Sequence, residues 1–85
     1  MDTRDTIRNY LTSKLIRDPK YKRGDKKLGD SDKLLTGSLI DSFAYAELAL
    51  FLEEQFGVSP DNTELNAEYM DTVQMIADYV ESHRK

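Results

Sequence analysis

D-S-F-A-Y-A-E-L-A-L-F-L-E-E-Q-F-G, residues 41–57, decides the fold. Asp41 and Ser42 are both favourable residues at a helix start, and the stretch that follows is made of good helix formers up to Phe56. Gly57 stops it, with Pro60 shortly beyond. On a helix, Tyr45, Leu48, Ala49, Leu52 and Phe56 fall on one stripe at i, i+3, i+4, i+7 and i+11, which predicts a core face; Phe51 adjoins it. Phe43, Ala46 and Leu50 form a second apolar patch at i, i+3 and i+7, rotated away from the first. An amphipathic surface helix needs one apolar face, so the second has two readings. Either a loop folds over it, or it is an exposed contact surface beside Ser42, rimmed by Glu47, Glu53 and Glu54.

The flanking sequence is also helical. Val73, Ile76, Ala77 and Val80 repeat at i, i+3, i+4 and i+7, predicting a last helix from Asp71 or Thr72, with Arg84 and Lys85 past its end where positive charge suits the dipole. Residues 63–70, with Leu65, Tyr69 and Met70, predict a short third helix. Ile7, Tyr10, Leu11 and Leu15 mark a first helix from about Thr3 to about Arg17. Between it and Asp41 lies a long connection containing Pro19 and Gly24, in which Leu28, Leu34, Leu35, Leu39 and Ile40 are spaced irregularly and read as loop anchors on a core. A structureless loop of this length is uncommon in so small a domain and tends to be functional or mobile. No strand alternation and no repeat occurs. The expectation is an all-α, four-helix domain spanning 1–85, with a long loop between helices 1 and 2 and a short helix 3.

Composition narrows the function. The 85 residues contain no cysteine, which removes disulfides, thiolate metal sites and a cysteine nucleophile together. No apolar run approaches the ~20 residues that span a bilayer, and the polar N-terminus lacks a signal-peptide pattern, so a cytoplasmic protein without membrane insertion is expected. The net charge of -4 conceals an asymmetry. Residues 14–33 carry eight basic against four acidic side chains, while residues 34–85 carry ten acidic against two basic. The acidic half holds the helix of interest, which argues against nucleic acid and for a basic protein surface as partner.

Ser42 then admits three roles. It can cap the helix, although Asp41 already offers a capping side chain. It can be a nucleophile, but that needs a base, and the only histidine, His83, lies at the far end of the chain with no strand–turn–helix elbow in between. Neither a catalytic residue nor a metal constellation emerges, so no enzyme is expected. Thirdly, its hydroxyl can be an attachment point, reachable because it stands at a helix start.

Gly37 to Phe43, G-S-L-I-D-S-F, resembles the phosphopantetheine attachment motif of the acyl and peptidyl carrier protein family, usually written around D-S-L. A-E-L-A-L-F-L-E-E-Q-F-G-V, residues 46–58, is similar to that family's second helix, and D-T-V-Q-M-I-A-D-Y-V-E, residues 71–81, to its last. The likeness covers about residues 34–82. It implies a four-helix bundle of acyl-carrier type in which a phosphopantetheinyl transferase attaches 4'-phosphopantetheine from coenzyme A to Ser42, with Asp41 presenting the serine. The arm's thiol would carry a thioester-linked acyl or aminoacyl cargo. An acyl- or aminoacyl-adenylating ligase or an acyltransferase would load it, and a downstream synthase or transferase would receive it. Phe43, Ala46, Glu47, Leu50, Glu53 and Glu54 would dock these partners, and a monomer suits such traffic. Phe43 stands where the family usually has Leu or Met, and Ala44 where carriers of fatty-acid synthesis usually have an acidic residue. The G-x-L-I-D-S form looks more like stand-alone carriers of specialised acyl, aminoacyl or D-alanyl groups. The alternative from a different class is a helical interaction module that docks through the same helix and bears no prosthetic group.

Overall fold

The computed structural model describes residues 3–84, which form five α-helices and no strand. Met1, Asp2 and Lys85, one of the two positive charges expected past the final helix, lie outside the described residues. Helix α1 (Thr3–Tyr10) runs on through a wider π turn at Leu11–Leu15, closed by a 2.7 Å bond from Ile16 N–H to Leu11 O. Its cause is local: the Thr12 hydroxyl donates to Arg8 O at 3.0 Å and the Ser13 hydroxyl to Asn9 O, so side chains compete for the carbonyls of the preceding turn. Ile7, Leu11 and Leu15 are buried, as their spacing requires.

The long connection is not structureless. Asp18 accepts from Lys20 N–H at 3.0 Å and Pro19 takes the first helical position, so one turn of helix, α2 (Pro19–Lys22), forms and buries Tyr21. The expected loop anchors Leu28, Leu34 and Ile40 are buried, and Leu35 and Leu39 pack against the same core. Polar bonds hold the loop to α1 and to the first turn of the last helix, α5 (Val73–His83), and the segment that leads into it. Asp30 O accepts from Gln74 N–H at 3.1 Å, while its carboxylate pairs with Arg4 at 3.2 Å and with Arg8. Asp71 does more. Only 4% exposed, it accepts from Leu35 N–H at 2.8 Å, Thr36 N–H at 3.1 Å and the Thr36 hydroxyl at 2.5 Å, and its carbonyl accepts from Leu34 N–H at 2.6 Å.

Helix α3 (Ala44–Phe56) ends at Gly57, whose φ of 71° is the left-handed cap that favours glycine; Gly57 N–H reaches Glu53 O at 3.0 Å. The third helix differs from expectation. Residues 62–70 split into a 3₁₀ turn (Asn62–Glu64) and the one-turn helix α4 (Ala67–Met70). Asn66 is the reason: its backbone is extended, and its side chain accepts from Glu68 N–H at 2.9 Å while donating to Thr63 O at 2.7 Å, so it restarts the helix. Thr72 caps α5 through Met75 N–H at 3.0 Å.

α5 packs against α1 and α4, and α3 closes the core with Tyr45, Leu48 and Leu52. Two tyrosines tie α3 down. Tyr10 stacks on Phe51 with centroids 3.9 Å apart and donates to Glu47 O at 3.3 Å. Tyr45 donates to Met70 O at 3.0 Å in the interior, and burial together with the Asp71 charge pushes its phenol up to about 12.

Burial by itself would raise the Asp71 carboxyl, but the bonds from Thr36 and Leu35 and the charge of Lys33 outweigh it and hold the group below its ordinary value of 3.8. A lowered folded-state value stabilises the fold above the ordinary value, and that stabilisation is lost as pH falls through the folded one. Chemical denaturation between pH 7 and pH 2 will therefore show stability falling as pH drops below 3.8, with a shallower slope in Asp71→Asn. At neutral pH, Asp71→Ala will cost about 2–3 kcal/mol, the range for losing charge-assisted bonds to buried donors.

Candidate functional site

The chain enters α3 through a compact turn from Lys33 to Asp41. Leu34 O accepts from both Leu39 N–H at 2.8 Å and Ile40 N–H at 3.1 Å, folding the segment back on itself. Gly37 is required here by close approach: a Cβ at this position would collide with the Lys33 carbonyl. Ser38 follows in the left-handed region at φ 62°. The turn inserts Leu34 and Ile40 into the core and leaves Asp41, Ser42 and Phe43 on the surface.

The capping role falls to Asp41. Its Oδ1 and its carbonyl both accept from Ala44 N–H at 3.1 Å, so regular helix begins at Ala44. Ser42 is exposed, and its hydroxyl has no hydrogen-bond partner among the described residues; the N–H groups of Ser42 and Phe43 have none either. The head of α3 thus presents a free hydroxyl beside free backbone donors at the positive end of the helix dipole, a setting suited to a phosphate ester on that oxygen.

All the residues expected at a docking face lie on the solvent side of α3. Phe43 is 84% exposed and Leu50 61%, with Ala46, Glu47, Glu53 and Glu54 exposed around them. The long loop does not cover this patch, because its leucines turn inward to the core instead. His83 is exposed in the last turn of α5, stacked on Tyr79 at 4.0 Å.

One feature of the site escaped the sequence. A cleft of about 610 Å3 opens beside Ser42, between its neighbours Asp41 and Phe43 on one side and the chain following α1 on the other. Leu15, Leu35, Leu39 and Ile40 form its buried or half-buried floor, and exposed Lys14, Arg17 and Glu47 stand on its rim. Arg17 reaches the Asp41 carboxylate at 3.9 Å, both side chains being largely in water. Irregular spacing hid this cleft: its walls come from three segments with no common period.

Comparison with models of protein families and with curated proteins found no match. No described helix is long and apolar enough to cross a membrane.

Because Asp41 is the cap and Ser42 is unbonded, Ser42→Ala will shift folding stability by no more than about 0.5 kcal/mol, as for surface positions with no special role. Asp41→Ala will cost about 1 kcal/mol. Urea titrations of both variants test this; the reverse order would mean that Ser42 is the cap.

Proposed function

We propose that this chain is a carrier protein that bears 4'-phosphopantetheine on Ser42 and passes a thioester-linked acyl or aminoacyl group between enzymes of a specialised pathway in the cytoplasm. The observation that carries this reading is the exposed, unpartnered Ser42 hydroxyl at the head of α3, released from capping by Asp41. In this reading α1, α3, α4 and α5 are the four helices of an acyl-carrier bundle, and α2 is an elaboration of its long first loop. The arm supplies the thiol that the cysteine-free chain lacks. The protein's own residues do the rest: Ser42 anchors the phosphate, Asp41 holds the serine's turn against Ala44, and the face of Phe43, Ala46 and Leu50 is offered to partners. No acid–base work is assigned to the chain, so it is not itself an enzyme. Its partners would be a phosphopantetheinyl transferase, an adenylating ligase or acyltransferase, and a receiving synthase or transferase, met one at a time by a monomer.

A second reading is favoured by the same exposed patch. A phenylalanine and a leucine left largely in water on one helix, with glutamates around them, are sufficient for a docking module that never carries an arm.

Intact mass after incubation with coenzyme A, magnesium and a broad-specificity phosphopantetheinyl transferase separates the two. The carrier reading expects one phosphopantetheine on the wild type and none on Ser42→Ala. Folded wild type left unmodified by several transferases would favour the docking module.

For either reading, Glu47→Lys or Glu54→Lys will slow association with a basic partner surface at low ionic strength and leave the thermal midpoint nearly unchanged. Stopped-flow association rates across a salt series check this; rates equal to wild type at low salt would mean that docking occurs elsewhere.

A further inference from the structure

The cleft beside Ser42 is a surface feature that the carrier reading leaves without a role. Its volume of about 610 Å3 falls within the ~300–1,000 Å3 usual for ligand clefts. Its lining is mixed, with an aliphatic floor of Leu35, Leu39 and Ile40 under a charged rim. Ser42 does not itself line the cleft, but its chain neighbours Asp41 and Phe43 both do, so an arm on Ser42 Oγ starts one residue from the mouth. Arg17 is at the same mouth. Its pairing with Asp41 at 3.9 Å, with side chains 89% and 52% exposed, is of the solvent-screened kind that contributes little and exchanges readily. A phosphodiester on the next residue offers that guanidinium a bidentate anionic partner, and Lys14 adds a second positive charge on the rim.

Building on the carrier reading, we propose that this cleft is the resting berth of the pantetheine arm: Arg17 holds the phosphate, and the arm lies over Leu39 and Ile40 towards the chain after α1. The occupant matches the lining. A pantetheine arm alternates amide groups with methylene and methyl groups, as the cleft alternates charged rim with aliphatic floor. A berth on the α1 side of Ser42 leaves Ala46 and Leu50 of the solvent-facing patch open to partners, with Phe43 on the boundary between cleft and patch. The arm can therefore be shielded while the protein is being recognised. Arg17 is a positioning residue here, acting on the arm and not on the reacting thioester.

The test uses the holo-protein, with modification first verified by mass. Amide spectra of apo- and holo-protein are compared, and contacts are sought between the arm's geminal methyls and the methyls of Leu39 and Ile40. Shifts at Lys14–Arg17 and Leu35–Ile40, with those contacts, are expected. Arg17→Glu should abolish both and Arg17→Lys should restore them in part. Because the chain has no cysteine, a thiol reagent reports only on the arm. The holo wild type should react roughly threefold more slowly than holo Arg17→Glu, as for an arm docked about two-thirds of the time. Shifts confined to residues 41–44, with equal thiol reactivity in the two proteins, would overturn the berth and leave the carrier reading intact. A folded protein that takes up no arm would overturn both.

Discussion

Asp71 is the constraint on which the rest of this structure depends. The 25 residues between Leu15 and Asp41 have one turn of helix to order them, and fixing such a segment costs backbone entropy at every position. The Asp71 carboxylate answers that cost at one point, gathering two backbone donors and a hydroxyl from Leu35 and Thr36 while its own carbonyl takes Leu34. A buried carboxylate is tolerable only when so fully bonded. With Leu34–Thr36 held, Leu34 and Ile40 reach the core, the turn closes over Gly37, and Asp41 arrives where it caps α3. The free hydroxyl of Ser42 is a product of that sequence of constraints.

The same arrangement gives α3 two apolar faces with different fates. Tyr45, Leu48 and Leu52 are claimed by the core, and Tyr10 braces the helix from the side through Phe51 and Glu47. Phe43 and Leu50 are left in water because the loop's aliphatic residues are already committed inward. Exposing them forgoes burial that would stabilise the fold, a pattern more often associated with a contact surface than with packing. The hydroxyl, the patch and the cleft all converge on the first two turns of α3, so attachment, recognition and shielding would be controlled from one place.

Much of this was legible in the chain because it rests on local periodicity and local caps. The stripes at Ile7–Leu15, Tyr45–Phe56 and Val73–Val80 located the three principal helices, and Gly57 marked the end of α3. Asp18-Pro19 carried a readable helix-start signal, but four residues are too few to show a period. Asn66 broke the expected third helix by side-chain bonds to its neighbours, a competition that propensity alone does not rank.

The sequence by itself determined that the chain is helical, where its long helices lie, and that Ser42 stands at the head of one bearing an extra apolar patch. Only the tertiary structure decided that Asp41 and not Ser42 does the capping, that the patch stays uncovered, that Asp71 serves as a clamp, and that a cleft opens beside the serine. The cap is a local contest, decided by the bond from Ala44 N–H to Asp41; the others depend on which groups win a partner distant in sequence. Helical spacing records which residues share a face, whereas such pairings are settled by the packing of segments with no common period.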